Sequence, residues 1–429
     1  MIILLLLAIL ILLTAINVPI AVGLGIVAVG AILATQGPQM LPNVALVMYE
    51  GATNFPLLAI PLFIFAGAIM NASSISRRLI ALCLAMVGYI RGALAIVTVG
   101  VNMFYAEISG SAVADVAATG SILIPAMKKR GYPKAFAAAV CSSAATLAII
   151  IPPSIPMIIY GAMANASIVQ LFVAGIVPGV AGGFALMAMA YWLARRNNWP
   201  VEELFSWEKL GRAFREAFWA LFLPLIILGS IFGGFVTATE GAGTAVVAAF
   251  LIGAFVYRDI QWRELSKAAI EGASHTAVVM LLVASSALVG VYLTEQKVPQ
   301  QMAEGILSIT RDKYLVLAIL NVFFLILGLF LHSAAAIILV VPVVMPLVTA
   351  VGIDPVHFGL IVTINLGIGQ QTPPVASVLM VACSIAKANV WEVTKVNLNF
   401  IYVLVAVLLV VTYVPDIPMS LVHFFYPQR

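Results

Sequence analysis

The hexapeptide IPPSIP, residues Ile151 to Pro156, interrupts an apolar run that extends from about residue 136 to 163. A Pro-Pro pair removes two backbone N–H donors and disfavours the helical conformation in the residue before each proline, so a helix must unwind there. Unwound backbone at membrane depth persists only where it is buried in protein or lines a polar cavity. The carbonyl groups that this unwinding frees can bind a cation.

A second Pro-Pro segment, Gln371-Thr372-Pro373-Pro374, lies in the other half of the chain. Each pair follows a short polar segment set in apolar sequence, Ser109-Gly110-Ser111 in the first half and His332-Ser333 in the second. The distance from the last serine to the first proline is 41 residues in the first half and 40 in the second. Because order and spacing are both repeated, the pattern indicates one structural unit used twice.

Serine hydroxyls and a glycine within an apolar run are typical of the tip of a re-entrant helical hairpin. The sequence therefore predicts inverted repeats with two hairpins and two broken helices, an architecture of secondary transporters. A cation fits at the freed carbonyls and helix C-termini, and an anion at helix N-termini. In an alternative interpretation the serines only form hydrogen bonds between helices and the prolines only kink them. This interpretation would suit a single serine or proline, but it does not account for the repeated, similarly spaced set. The hairpins are predicted at about 93–127 and 315–348, and the broken helices at about 135–163 and 357–386.

Composition places the whole chain in a bilayer. Apolar residues make up 63% of the 429 and charged residues 9%, and the mean hydropathy is +1.15. So few charges cannot cover a soluble surface, and apolar runs of membrane-spanning length recur throughout, so we predict an all-α polytopic membrane protein. Residues 1–15 lack the basic start of a signal peptide and are interpreted as a retained first span. The scattered cysteines predict neither a disulfide framework nor a transition-metal site.

Basic residues define the orientation. A short loop without acidic residues, Lys128 to Lys134, is placed in the cytoplasm by the positive-inside rule, and Arg195-Arg196 then return to the same side. The net charge of +4 therefore reports topology, and no nucleic-acid partner is expected. Residues 199–218 predict an amphipathic helix on the cytoplasmic surface, or equally a solvated linker. This helix separates a first half at 1–198 from a second at 219–429.

Five passages resemble the large membrane subunit of tripartite ATP-independent periplasmic (TRAP) transporters, of the DctM type, over nearly the whole chain. They are EGATNFPLLAIPLFIFAGAIM (50–70), FYAEISGSAVADVAATGSILIPAMKKRGY (104–132), IIPPSIPMIIYGAMANASIVQLFVAGIVPG (150–179), TATEGAGTAVVAAF (237–250) and GQQTPPVASVLMVA (369–382). The resemblance implies an elevator-type transporter of the ion transporter superfamily, with a scaffold and a moving transport domain.

The resemblance also implies a function. It is sodium-driven uptake of an organic acid, such as a C4-dicarboxylate, a sialic acid or another carboxylate, across the bacterial inner membrane. The implied partners are a periplasmic substrate-binding protein and a small membrane subunit, and sodium ions are the coupling ions, with no other cofactor. The binding protein makes most of the substrate selection in this family, so the chain alone does not name the solute.

The resemblance also places the two sodium sites of the family on particular residues of this chain. The first falls on Ser109, Gly110, Ser111, Pro152, Pro153 and Ser154, and the second on His332, Ser333, Gln371, Thr372 and Pro373. Substrate contacts are expected at Ser111, Ser154, Asn365 and Thr372. His332 stands where the family commonly has an aspartate, so the second site has an altered ligand set.

Two carboxylates flank the first tip, Glu107 and Asp115. Either is a cation or proton partner if it is buried, or an ordinary solvated group if the hairpin end lies near water. Glu240 is expected to have a structural hydrogen-bonding role.

Other function classes fit less well. An intramembrane enzyme needs a nucleophile with its base or paired carboxylates, and the sequence has no G-x-S-x-G, H-E-x-x-H or aspartate-rich diphosphate motif. A channel does not need two matched broken-helix sites, and an ATP-driven permease would need a coupling loop that is not recognisable here. The remaining alternative within the superfamily is an anion/cation symporter that works without a binding protein.

Overall fold

The computed structural model describes residues 8–10, 12–13, 16, 18–199, 201 and 204–427. The predicted first span at 1–15 lies largely outside these residues. Over the described ranges the chain is helical, without strands. Before the first hairpin come four helices and two 3₁₀ turns: α1 (Ile20–Gln36), Pro38–Met40, α2 (Leu41–Ala52), Phe55–Leu58, α3 (Ala59–Asn71) and α4 (Ile75–Val87).

The first repeat unit occupies the next six helices. They are α5 (Ala93–Ser109), α6 (Ala112–Lys129), α7 (Lys134–Ala145), α8 (Leu147–Ile150), α9 (Ile155–Ala164) and α10 (Ile168–Arg196). Helices α5 and α6 form a hairpin that turns at Gly110, and α7–α9 form one helix broken at the Pro-Pro pair. We call these hairpin 1 and broken helix 1.

A middle group connects the two units. It comprises α11 (Trp207–Phe232), α12 (Ala238–Leu251) with a π-helical extension at Ile252–Tyr257, α13 (Trp262–Glu295) and α14 (Val298–Ile309). Three of these helices pack with those before hairpin 1: α12 against α3, α13 against α1 and α2, and α11 against α4. The two groups therefore pack together as one body.

The second repeat unit completes the described chain. It consists of α15 (Lys313–Phe330), α16 (Ser333–Ala350), α17 (Pro355–Gly369), α18 (Ser377–Ala386) and α19 (Val390–Tyr413), and a short helix, α20 (Asp416–Phe425), follows it. Helices α15 and α16 form hairpin 2, and α17 and α18 form broken helix 2, interrupted at the second Pro-Pro pair. Both Pro-Pro peptide bonds are cis.

The two units pack through reciprocal contacts between equivalent helices. Helix α9 of the first unit lies against α16 of the second, and α18 of the second lies against α6 of the first. The long helix that ends each unit packs on the broken helix of the other, α10 on α17 and α19 on α7. Reciprocal packing of this kind is expected of two copies related by a pseudo-twofold axis, as in inverted-repeat transporters.

Eight helices in the described part of the chain are long and apolar enough to cross a membrane, or nine if the bent pair Pro38–Ala52 and Phe55–Asn71 is one span. The eight are Lys134–Ala164, Ile168–Arg196, Trp207–Phe232, Ala238–Tyr257, Trp262–Glu295, Lys313–Phe330, Ser333–Ala350 and Val390–Tyr413. The broken Lys134–Ala164 is the most buried of them, with 94% of its apolar window inside the protein. An interior position satisfies the requirement that unwound backbone be shielded from lipid.

The structure differs from the prediction at the connection between halves. Instead of a separate surface helix at 199–218, α11 begins at Trp207 and continues without a break to Phe232. Ser206 sets the start, because its hydroxyl accepts a hydrogen bond from the Lys209 N–H at 3.4 Å. No helix-breaking residue separates the amphipathic part from the apolar part, so both join one helix.

Candidate functional site

The tip of hairpin 1 contacts the break of broken helix 1 directly. The carbonyl of Gly110 accepts a hydrogen bond from the Ile155 N–H at 3.2 Å. Gly110 has a φ of +59°, and a Cβ there would lie 2.9 Å from the carbonyl oxygen of Pro153. Only glycine permits both this left-handed turn and this close approach.

Two serines organise the tip. Ser111 begins α6, where its hydroxyl accepts a hydrogen bond from the Ala114 N–H at 3.5 Å. The Ser111 N–H donates in turn to the hydroxyl of Ser109 at 3.2 Å. Ser109 donates its own proton to the carboxylate of Asp115. The Ser109 oxygen and the Asp115 carboxylate are thus held together at the tip.

Of the two acidic side chains beside this tip, Asp115 is the more deeply buried. It is completely buried, and within the described ranges its Oδ2 atom has no hydrogen-bond partner. The alternative of a solvated carboxylate does not fit this burial. Glu107, the other acidic neighbour of the tip, is only partly buried. A buried carboxylate with an open oxygen is costly unless a cation or a proton compensates it.

Ser154 holds the break together. Its hydroxyl donates to the Ile149 carbonyl at 2.8 Å and accepts from the Met157 N–H at 3.4 Å, so it joins the helix before the break to the helix after it. The side chain is fully buried. Ser154 therefore lies at the break that contacts the tip, and its hydroxyl bonds to the backbone on both sides of that break.

The second unit repeats the contact between hairpin and break. The carbonyl of Leu329, just before the tip of hairpin 2, accepts a hydrogen bond from the Val375 N–H at 3.2 Å. Helices α15 and α17 approach closely beside this bond, since a Cβ on Gly369 would lie 2.5 Å from the backbone carbon atoms of Gly328. His332 begins α16, and its Nδ1 atom accepts from the Ala334 N–H at 3.4 Å. Ser333 is buried behind it.

Residues at the second break have different partners. Thr372 donates its hydroxyl proton to the Ile368 carbonyl at 3.0 Å, within its own helix end. Gln371 is fully buried, and its Oε1 atom lies 2.7 Å from the hydroxyl of Ser143 and 3.3 Å from the Nδ2 atom of Asn397. The amide of Gln371 thus faces the first broken helix and the last span.

Asn365, one of the residues expected to contact the substrate, lies in a cluster of buried polar side chains. Its amide donates to the Oδ1 atom of Asn321 at 2.6 Å and to the Ile361 carbonyl at 2.8 Å. Asn321 donates to Thr412 at 3.1 Å. These contacts join broken helix 2 to hairpin 2 and α19, and Asn365 is completely buried among them. Within the described residues, the Asn365 amide nitrogen thus bonds to hairpin 2 and to its own helix.

Sequence reasoning missed Ser143 and Asn397 and left Asp115 undecided. The available signal was weak: a single serine or asparagine in an apolar helix usually joins two helices by a hydrogen bond. Glu240 has the structural role expected of it, because its carboxylate accepts from the N–H and the hydroxyl of Thr237 at 2.8 and 2.9 Å. This reciprocal cap begins α12.

Two inverted units, each with a hairpin tip held against a broken helix, define a multi-pass membrane permease of the secondary-transporter class. The family model described as the DctM component of the tripartite ATP-independent periplasmic transporter matches residues 7–417. The chain therefore belongs to the TRAP large permease family, and it is a transport protein of the inner membrane rather than an enzyme.

Similar proteins support this assignment. The chain is 43% identical to the isethionate TRAP transporter permease protein DctMQ of Oleidesulfovibrio alaskensis, over 94% of this chain and 64% of that protein, so it spans less than two thirds of that relative. It is 36% identical to the C4-dicarboxylate TRAP transporter large permease protein DctM of Vibrio cholerae, over 93% of each chain. The crystal structure of the Alcanivorax borkumensis YdaH transporter has a similar fold, with a TM-score of 0.60 at 15% identity, covering 92% of this chain and 91% of that one.

Proposed function

We propose that this permease takes up an organic acid by sodium symport and receives the solute from a periplasmic binding protein, together with a small membrane subunit. The names of its relatives support the substrate class, because they include permeases for C4-dicarboxylates, 2,3-diketo-L-gulonate and sialic acid. Another relative is named an isethionate permease, and isethionate is an organic sulfonate. All of these solutes are anions, so cotransport with cations offsets their charge.

The observation that supports sodium coupling most directly is the open oxygen of Asp115. A sodium ion beside the Ser109 hydroxyl would compensate the buried charge, and the unwound backbone at Pro152 and Pro153 offers further oxygen ligands. Gly110 and Ser111 shape the same tip. Ser154 supports this site by holding the break in its unwound form.

The corresponding second site is proposed at the tip of hairpin 2 and its break. Its candidate ligands are His332, Ser333, Gln371, Thr372 and Pro373. A neutral imidazole offers a nitrogen rather than an oxygen, which is a poorer ligand for sodium than a carboxylate. The second site is therefore expected to bind sodium more weakly than the first.

Transport is proposed to follow an elevator cycle. The two repeat units would form the moving body, and α1–α4 with α11–α13 the scaffold. Sodium at the two tips would stabilise hairpins that close over the solute, whose carboxylate is expected near Ser111 and Thr372. A gradient drives this cycle only if the ions bind one state more tightly than another.

Proteoliposomes containing this permease, the small subunit and the binding protein provide the test. Uptake should require an inward sodium gradient and proceed without ATP. Asp115→Asn should remove most of the sodium stimulation, whereas Ser121→Ala, an exposed serine on the same helix, should leave it unchanged. Uptake that is unaffected by removing sodium would exclude the proposal, and uptake without the binding protein would favour the independent symporter.

A further inference from the structure

Three fully buried polar side chains meet where the two repeat units touch. Ser143 lies on α7 of broken helix 1, Gln371 at the break of broken helix 2, and Asn397 on α19. The Ser143 hydroxyl lies 2.7 Å from Gln371 Oε1 and 2.7 Å from Asn397 Oδ1. The Asn397 Nδ2 atom lies 3.4 Å from the backbone carbonyl of Gln371. We call these residues the interior triad.

Counting protons defines the triad's hydrogen bonds. A serine hydroxyl has one proton and cannot donate to two oxygens at once, and amide nitrogen and oxygen positions are exchangeable on geometric grounds. With the Gln371 amide turned over, its Nε2 donates to Ser143, Ser143 donates to Asn397, and Asn397 donates to the Gln371 carbonyl. In this arrangement the single Ser143 proton has one acceptor, and each of the three residues both donates and accepts one hydrogen bond, so the ring is closed.

The ring joins parts that belong to different proposed ion sites. Ser143 precedes the first Pro-Pro break on the same broken helix, and Gln371 is part of the second break. The two broken helices also touch directly, since a Cβ on Gly367 would lie 2.9 Å from the Thr146 methyl group. A shift of one break therefore reaches the other through bonded, tightly packed groups.

We propose that Ser143 and Asn397 are positioning residues that couple sodium binding at the two sites through Gln371. This inference rests on the proposed function. Asn397 holds the backbone carbonyl of Gln371, and Ser143 holds its amide, so the second break is ordered only when the first broken helix is in place. Filling the first site thereby favours the second, which is positive coupling.

The test is the sodium dependence of uptake by the assembled transporter at saturating solute. Ser143→Ala and Asn397→Ala should each lower the Hill coefficient for sodium toward about one and raise the half-saturating sodium concentration several-fold, because the two sites then fill independently. The KM for solute at saturating sodium should stay unchanged. The double variant should resemble either single variant, since each breaks the same ring.

Asn399→Ala is the matched control. Asn399 lies on the same helix, and its side chain donates to the Val396 carbonyl of that helix at 3.0 Å. It should keep the Hill coefficient of the wild type. Rates are normalised to the amount of monodisperse protein, so that poor folding lowers the maximal rate without being read as lost coupling.

The outcomes separate the two proposals. Wild-type uptake that ignores sodium would reject the sodium symport itself. Sodium-dependent wild-type uptake would uphold the symport, and the coupling would then be rejected by a wild-type Hill coefficient of about one or by variants that retain the wild-type value. A fall in the maximal rate alone would also reject the coupling, because it indicates a purely structural role.

Discussion

Gly110 illustrates how strictly a single residue is constrained at the first hairpin tip. Its φ of +59° favours glycine, and the Pro153 carbonyl occupies the space where a side chain would begin. The same residue supplies the carbonyl that bonds to Ile155. The left-handed turn, the close contact with Pro153 and the hydrogen bond to Ile155 therefore all depend on Gly110, near the carboxylate of Asp115.

Gly110→Ala is expected to abolish transport. The left-handed turn costs an alanine about 1–2 kcal/mol, and the added carbon must also push the tip away from the break. Sodium-driven uptake and the melting temperature of the purified complex measure the two effects. Gly243→Ala, a helical glycine with open space around it, should leave both unchanged, and a fully active Gly110→Ala would contradict the described tip.

Ser154→Ala is expected to cost stability and sodium affinity together. The lost cap should lower the free energy of unfolding by about 1 kcal/mol, and the loosened break should raise the sodium requirement. Ser206→Ala removes a similar cap far from both sites, with the same 3.4 Å bond to a backbone N–H. It should lower stability without changing sodium dependence. Equal sodium dependence in both variants would remove Ser154 from the site.

At the scale of elements, the repeated polar tips and Pro-Pro pairs predicted hairpins and broken helices, because those residues act on their own backbone. The hairpin predicted at 93–127 corresponds to helices at Ala93–Ser109 and Ala112–Lys129. Partner choice is not local, so the sequence could not show that Asn365 bonds to Asn321 or that Gln371 meets Ser143. The connecting helix was misplaced because an amphipathic segment and a span can form one continuous helix.

Gly369→Ala tests the contact between hairpin 2 and broken helix 2. A Cβ there would meet the backbone of Gly328, which cannot rotate away as a side chain can. Overpacking of this kind costs about 1–3 kcal/mol, so we expect a lower melting temperature and impaired uptake. Gly305→Ala, with nothing near the added carbon, is the control. A wild-type melting temperature for Gly369→Ala would show that the helices do not approach this closely.

At the scale of the molecule, a hydrogen bond links the proposed moving body to the scaffold. Tyr105 of hairpin 1 donates its hydroxyl proton to the Oδ1 atom of Asn71, at the end of α3, at 3.0 Å. The tip itself also lies close to α3, since a Cβ on Gly67 would be 3.5 Å from the Cβ of Ser109. A sliding body must break such contacts at each crossing.

Tyr105→Phe should therefore shift the balance between transport states. Losing the bond destabilises the described state by about 0.5–1.5 kcal/mol relative to a state that lacks it. Spectroscopic distances between labels on α3 and α6 should show a larger fraction of the other state. Tyr402→Phe, an exposed tyrosine, should not change the distribution. An unchanged distribution in Tyr105→Phe would mean that the bond persists throughout the cycle or is absent.

The reciprocal packing of the two units has a consequence for biogenesis. Broken helix 1 is covered by α19, which is synthesised more than 200 residues later in a chain of 429. While the ribosome is still translating the second half, α7 lacks this partner, so we expect broken helix 1 to reach its final packing only after α19 has been inserted. Because each unit packs against the long last helix of the other, we expect neither half expressed alone to reach the described packing.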